Sequence, residues 1–302
     1  MYLPRKTHVT PFYKPNKVTM ATLQPLSNKQ IIFNYINIFL VWIITNKKYM
    51  SSTIQTPGRF GNHFIRNILM HILAEKYDLV AEYSYWAKID GLGIPLYSGS
   101  RIFEQNRIVD SDAKMERLLQ EIESMGSSFV LQTNLIMQGE IYCQTREMTN
   151  RIYNFLRSER IRDGIIPANP FRSRYKNNND IFVHIRLGDV ADKNPGFAYY
   201  EKVLNLLETK GYGRIFLSSD SPFHPICQKI FKGFRNTSFV QFDEIQTIQY
   251  ASTCRYVVLS HGSFSAVIGY LSFFSEIYYP AYDDAKRWYG DMFSVPGFQR
   301  ID

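Results

Sequence analysis

The chain has 302 residues, 45% of them hydrophobic and including 22 Phe and 21 Tyr, enough to fill the core of one large or two ordinary domains. The net charge of +8 suggests a nucleic-acid partner, but residues 1–49 hold seven Lys and Arg and no acid, while the remainder carries 28 basic against 27 acidic residues. A near-neutral body without a basic stripe argues against nucleic-acid binding, and three widely spaced cysteines (Cys143, Cys227, Cys254) make no zinc or disulfide framework and fit a reducing compartment.

Residues 1–49 read as a basic extension, either disordered or a weak anchor. Its one apolar run, Ile31 to Ile44, is 14 residues long and includes Asn34 and Asn37, whereas a spanning helix needs about 20 apolar residues. Membrane association is therefore expected only through 31–44. The run starts late and lacks a small-residue cleavage site, which argues against a signal peptide. A start at Met50 is a further reading, since the chain Met50-Ser51-Ser52-Thr53 meets a glycine loop a few residues later.

In the body, Ile54-Gln55-Thr56 reads as a strand, Pro57 to Asn62 as a glycine loop, and Ile65, Ile68, Leu69, Ile72 and Leu73 as one face of a helix. Leu79 to Tyr83 and Phe129-Val130-Leu131 are predicted strands. Ala113 to Met125 is a predicted helix with Met115, Leu118, Leu119 and Ile122 inward, and Met148 to Leu156 is another. The stretch 163–180, with Gly164, Pro167, Pro170 and Asn177-Asn178-Asn179, reads as a linker. Beyond it strands are predicted at 181–185, 214–218, 237–241, 255–259 and 276–279, and helices at 198–210, 222–232, 244–253, 264–274 and 283–290. Such alternation predicts an α/β fold with parallel strands and right-handed crossovers. The expected organisation is two α/β halves, 50–165 and 166–302, joined by this linker and facing a central cleft.

Four motifs carry chemistry. In Gly58-Arg59-Phe60-Gly61-Asn62-His63, Arg59 and Asn62 suit a phosphate or a sugar hydroxyl, Gly61 permits close approach, and His63 is a candidate general base; an ordinary turn with a structural His is the plainer alternative. In His184-Ile185-Arg186-Leu187-Gly188-Asp189, His184 and Arg186 share one face of a strand end. Arg186 suits charge growing on a departing phosphate, and Asp189 suits holding Arg186. A surface salt bridge is the alternative there. Ser218-Ser219-Asp220-Ser221 reads as a ligand-facing turn or a helix N-cap. In Ser260-His261-Gly262-Ser263-Phe264-Ser265, small residues open a helix whose N–H groups seat a phosphate, or simply form a capping box. No Walker, GxGxxG, GxSxG or DxD-type sequence occurs; Asp283-Asp284 is only a pair, so no metal or cofactor is expected.

In this order the motifs resemble those of the α-1,2-fucosyltransferases and the related α-1,6- and protein O-fucosyltransferases, which carry GRxGNQ, HxRRGD, SDD and NSSFSWWGA segments. Tyr199-Tyr200 also matches a YY following the central motif, and the resemblance spans about residues 54–280. It implies a GT-B-like fold with two Rossmann-like halves and an inverting, metal-independent glycosyltransferase moving fucose from GDP-fucose to a glycan acceptor. By position it implies Arg186 on the β-phosphate and His184 by the nucleoside. Ser263, Phe264 and Ser265 would line the diphosphate and ribose, with Gly188, Ser219, Asp220 and Gly262 around the donor. Asp243 or Glu244 is placed to accept from guanine N1–H and N2–H₂.

The departures are Leu187 for the second Arg, His63 for Gln, His261-Gly262 for Asn-Ser, and Ala266-Val267 for the tryptophan pair. They leave open a same-fold transferase with another nucleotide-sugar donor and a non-catalytic sugar- or nucleotide-binding protein. A cytoplasmic location goes with a start at Met50, and a type II Golgi location with an anchor in 31–44.

Overall fold

Short apolar strands alternating with amphipathic helices build two all-parallel sheets (in a computed structural model that describes residues 51–282 and 290–302). Both sheets lie within one unit, Tyr49–Asp302. The 31–44 run, Asp283-Asp284 and all but the last residue of the helix expected over 283–290 lie outside the described residues.

The first sheet contains β1 (Ser52–Ile54), β2 (Ala81–Glu82), β3 (Asn106–Ser111) and β4 (Asn134–Glu140), in the order β2-β1-β4-β3. Its register sets Ser52 beside Ala81, Thr53 beside Ile136 and Ile108 beside Ile136. The helices that follow its strands are α1 (Phe60–Tyr77), α2 (Trp86–Asp90), α3 (Asp112–Met125) and α4 (Arg146–Arg157), with α5 (Glu159–Ala168) leading onward. In α3 the four predicted inward residues, Met115, Leu118, Leu119 and Ile122, are its buried ones.

The second sheet contains β5 (Ile181–Ile185), β6 (Ile215–Ser219), β7 (Thr237–Phe239), β8 (Tyr256–Val258), β9 (Glu276–Pro280) and β10 (Phe298–Ile301), in the order β10-β9-β8-β5-β6-β7. Its helices are α6 (Phe197–Glu208), α7 (Pro225–Gly233), α8 (Glu244–Ala251) and α9 (Ser263–Leu271). All five residues of β5 are buried, as a strand covered on both faces requires. Strand alternation sorts them: Ile181, Val183 and Ile185 enter one core with Tyr200, Leu204 and Leu217, and Phe182 enters the other. The chain runs β5, β6, β7 outward on one side, then returns to lay β8 against β5, with Val183 opposite Val258. The strand order therefore reverses between β5 and β8, and ligands of such sheets bind outside the carboxyl ends at that reversal.

One continuous core joins the sheets, running from Phe64, Ile68 and Leu69 of α1 to Val267 and Tyr270 of α9. The helices meet at their amino ends, where a Cβ on Gly61 would lie 2.6 Å from the backbone N of Phe264. Only glycine allows this contact. Helix α4 supports both: its Tyr153 ring meets Tyr270 at 5.7 Å, and the Tyr153 hydroxyl donates to the Pro296 carbonyl at 2.8 Å.

Several expectations need correction. Residues 129–131 form no strand; Val130 is exposed and only Leu131 is buried, and the strand begins at Asn134. That strand went unpredicted because Asn134, Gln138 and Gly139 interrupt its alternation; Asn134 is nevertheless buried, giving its amide to Phe103 O at 2.7 Å and Asn106 Oδ1 at 2.9 Å. The polar strand β3 and the short strand β10 were likewise unpredicted. The expected linker is partly helical, since α5 runs through Pro167 to Ala168 and the 165/166 boundary falls inside it. Gly164 is there for contact: its Cβ would come within 2.7 Å of Gly93 O.

Candidate functional site

Because the second sheet is parallel, β5, β6 and β8 all end at one edge, and three of the four motifs leave the sheet there. From β8 the chain passes through Ser260, His261 and Gly262 into α9, with Gly262 at φ 91° as the N-cap and Ser263, Phe264 and Ser265 in the first turn. Their N–H groups precede the first intrahelical partners and point out of the helix end, an arrangement suited to an anion. Across the reversal, Ser265 Oγ lies 2.6 Å from His184 Nδ1, and the His184 ring meets Phe264 edge-on at 5.3 Å. His184 is buried, which pushes its pKa down to about 4, so the ring is neutral at physiological pH.

Tyr199 and Tyr200 hold this edge from behind. The Tyr199 hydroxyl donates to Leu259 O at 2.9 Å, and the fully buried Tyr200 hydroxyl donates to Ser260 Oγ at 3.1 Å. Asn194, which sequence reasoning missed, donates to both Arg186 O at 2.8 Å and Tyr200 at 3.1 Å. Leu187 is completely buried in the second core. An Arg there would carry its charge into an apolar interior, which costs heavily without a partner.

Arg186 lies between two carboxylates, with one guanidinium nitrogen on Asp220 and another on Asp189. Asp220 also accepts from the Leu187 backbone N–H at 2.9 Å. Asp189 reaches the first sheet as well, pairing with Arg59 at 3.2 Å. The four charges thus link the chain leaving the first sheet to the chain leaving the second and sum to zero. Arg186 is the least solvated, its side chain only 16% exposed against 67% for Arg59, so its field is the least screened. Gly188 lies exposed in the turn between Arg186 and Asp189.

On the first sheet the strand order also reverses, between β1 and β4. Arg59 is the N-cap residue of α1. Asn62 accepts from Gln144 Nε2 at 3.1 Å. Arg66, almost fully buried and not foreseen from the sequence, donates to Ile141 O at 2.7 Å and Pro57 O at 3.0 Å, pinning the loop after β1 to the chain leaving β4. A charged residue beside Ile65 on the inner face of α1 was the available signal. His63 Nδ1 sits 2.6 Å from Ser84 Oγ, with the Tyr85 ring 5.1 Å away. Burial, aided by the nearby Arg66 charge, pushes the His63 pKa below the ordinary histidine value and so favours the neutral ring.

The structure therefore brings Arg59, Gly61, Arg186, Asp189, Asp220, His184 and Ser263 to Ser265 to one edge-to-edge region. Ser219, Asp243 and Glu244 each have structural partners of their own. Ser219 Oγ accepts from Ser221 N–H at 3.1 Å, and the next helix starts later than predicted, at Pro225, with His224 as its cap. Asp243 caps α8 in a reciprocal box, its Oδ1 accepting from Gln246 N–H at 2.7 Å. Glu244 binds Lys88 Nζ at 2.9 Å, joining α8 to α2, and Lys88 holds its carboxyl below the usual range. A cavity of about 650 Å³ adjoins the edge, lined by Asn194, Tyr199, His261 and Tyr282 among others. Among the described residues no group of three or more His, Cys, Asp or Glu is placed to hold a metal ion, and no helix is long and apolar enough to cross a membrane.

No family model matches the chain, and no curated protein does. Among solved structures the chain is similar to NodZ α-1,6-fucosyltransferase co-crystallised with GDP, at 12% identity over 75% of this chain and 93% of that one, with a TM-score of 0.43. It is similar to fucosyltransferase NodZ from Bradyrhizobium at 13% identity, with the same coverage and TM-score. It is also similar to POFUT1 in complex with GDP, at 11% identity over 74% of this chain and 96% of that one, with a TM-score of 0.38.

Proposed function

We propose that the protein is an inverting, metal-independent glycosyltransferase that moves fucose from GDP-fucose to a glycan hydroxyl. The observation that carries this reading is His184 held to Ser265 in the first turn of α9 at the β5/β8 reversal, with Arg186 two residues further along the chain leaving β5. A guanidinium and a set of outward N–H groups at one strand edge suit a diphosphate. In the reaction the bond from the sugar C1 to the β-phosphate oxygen breaks, and its electron pair leaves with GDP. The acceptor oxygen bonds to C1 from the opposite face and releases its proton to a base. Arg186 binds the leaving oxygen more strongly as its charge grows, which is what lowers the barrier. His63, neutral and held by Ser84, is the base in this reading, with residues 50–165 as the acceptor side and 166–302 as the donor side. Asp243 keeps Oδ2 outside its capping bond and is the carboxylate assigned to guanine; Glu244 serves there only by leaving Lys88.

A second reading, nucleotide or sugar binding without turnover, is favoured by one feature: Asp189 and Asp220 already neutralise Arg186. The test is a thermal-shift panel on the full chain with GDP, UDP, ADP, CMP and their common sugar conjugates, since a ligand of the native state raises Tm by mass action. Stabilisation by GDP and GDP-fucose alone supports the fucosyl reading. Stabilisation by another nucleotide instead keeps the transferase and discards fucose. Binding of GDP-fucose with neither hydrolysis nor transfer favours the binder.

A further inference from the structure

Next to Ser84, the partner of His63, the chain presents Tyr85 and Trp86 to solvent in succession, 40% and 62% exposed. Tyr85 sits at φ 56°, ψ 21°, a left-handed backbone that is unfavourable for an aromatic residue. Its ring is fixed there by Phe60 at 5.9 Å, His63 at 5.1 Å and Lys88 Nζ at 5.6 Å. This conformation opens α2 with Trp86 as its first residue, and the Trp86 ring has no aromatic or cation partner among the described residues.

Trp86 forms one wall of a groove of about 550 Å³, whose other walls are Glu82, Tyr83, Asp90, Pro95 and Leu96. Glu82 accepts from Ser51 Oγ at 2.6 Å with Oε1, leaving Oε2 unused. The Asp90 carboxylate makes no hydrogen bond or ion pair among the described residues. The groove thus offers a flat apolar ring and acceptor-only carboxylate oxygens. A sugar ring matches both, laying its C–H face on the indole and donating hydroxyl hydrogens to the carboxylates. Two negative charges exclude a phosphate or a nucleotide from it. The groove flanks β2, whose continuation carries Ser84 to His63.

We propose that this groove is a saccharide subsite that holds the acceptor glycan away from its reacting hydroxyl; the acceptor role rests on the transferase reading above. The experiment titrates the full chain with cellotetraose, maltotetraose and lacto-N-tetraose by ligand-observed saturation-transfer NMR, alongside Trp86→Ala, Trp86→Phe, Asp90→Asn and Glu82→Gln. At least one tetrasaccharide is expected to bind. Trp86→Ala should weaken it by about tenfold or more and Trp86→Phe should retain most of the binding, as loss and retention of ring stacking require. Asp90→Asn and Glu82→Gln should each weaken it by a smaller factor. The proposal is overturned if no tetrasaccharide binds, if Trp86→Ala binds as well as the parent, or if tetralysine binds in their place and is lost in Glu82→Gln. Nucleotide stabilisation is read on the same proteins. Trp86-dependent saccharide binding with no stabilisation by GDP, UDP, ADP, CMP or their sugar conjugates would leave the groove standing and remove the transferase reading.

Discussion

Gly61→Ala tests the junction on which the site depends. The new Cβ would lie 2.6 Å from Phe264 N, 2.8 Å from Phe264 Cα and 2.9 Å from Ser263 C, all backbone atoms of the first turn of α9. No rotamer change relieves such a contact, so α1 and α9 must separate by several tenths of an ångström. Overpacking of this kind costs about 1–3 kcal/mol. For a chain of this size each kcal/mol lowers Tm by roughly 2–4 °C, so a fall of roughly 2–12 °C is expected by scanning calorimetry. The separation would also pull Arg59 from Asp189, so GDP stabilisation should fall in the same variant. Gly233→Ala is the control, because its φ is not in the left-handed range and nothing lies within 4 Å of the added Cβ. Unchanged Tm in Gly61→Ala would refute the contact between the two helix ends and, with it, the alignment of Arg59 with Arg186.

Arg186→Ala should abolish most GDP stabilisation and lower turnover by about 100-fold or more, as removal of a group aimed at developing charge does; Arg186→Lys should recover little, because Lys lacks the planar fork. Ser265→Ala leaves the buried His184 Nδ1 without its partner and should cost about 1–3 kcal/mol in urea unfolding; an unchanged midpoint would mean that the 2.6 Å contact contributes nothing. Burial lowers the pKa values of His71 and His184 to about 4 and of His261 to about 3, against 6.5 for a free histidine. The unfolded chain therefore binds more protons in this window, so their contribution is full above about pH 6.5 and is lost as pH falls towards 4. Urea midpoints at several pH values across that window should decline with acidity, and His71→Asn should flatten the decline. Asp189→Asn removes the carboxylate shared by Arg59 and Arg186, so pyrophosphate, measured by calorimetry, should bind the variant more tightly than the parent; weaker binding would show instead that Asp189 positions Arg186 for the ligand.

The α/β class, the parallel second sheet and most of its element positions were legible in the chain. Runs such as Ile181-Phe182-Val183 and Tyr256-Val257-Val258 are apolar without interruption, and strands covered on both faces need that pattern. The strands with polar residues were not legible. Asn134 opens β4 because its amide satisfies the neighbouring chain, and β3 is held by pairing with β4. Gly164 looked like a breaker, yet it lies within a helix because Gly93 comes against it.

The amino-acid order by itself determined, to within a few residues, where the apolar strands β5, β6, β8 and β9 and the helices between them lie, because local periodicity and small polar residues suffice for that. Only the tertiary structure decided which of their ends meet. It set β8 against β5 so that Ser265 reaches His184, and it brought Gly61 onto Phe264 so that Arg59 and Arg186 share Asp189. It also joined Glu244 to Lys88. Each is a contact between residues far apart in the chain, fixed by the packing of helices on sheets and not by any local preference.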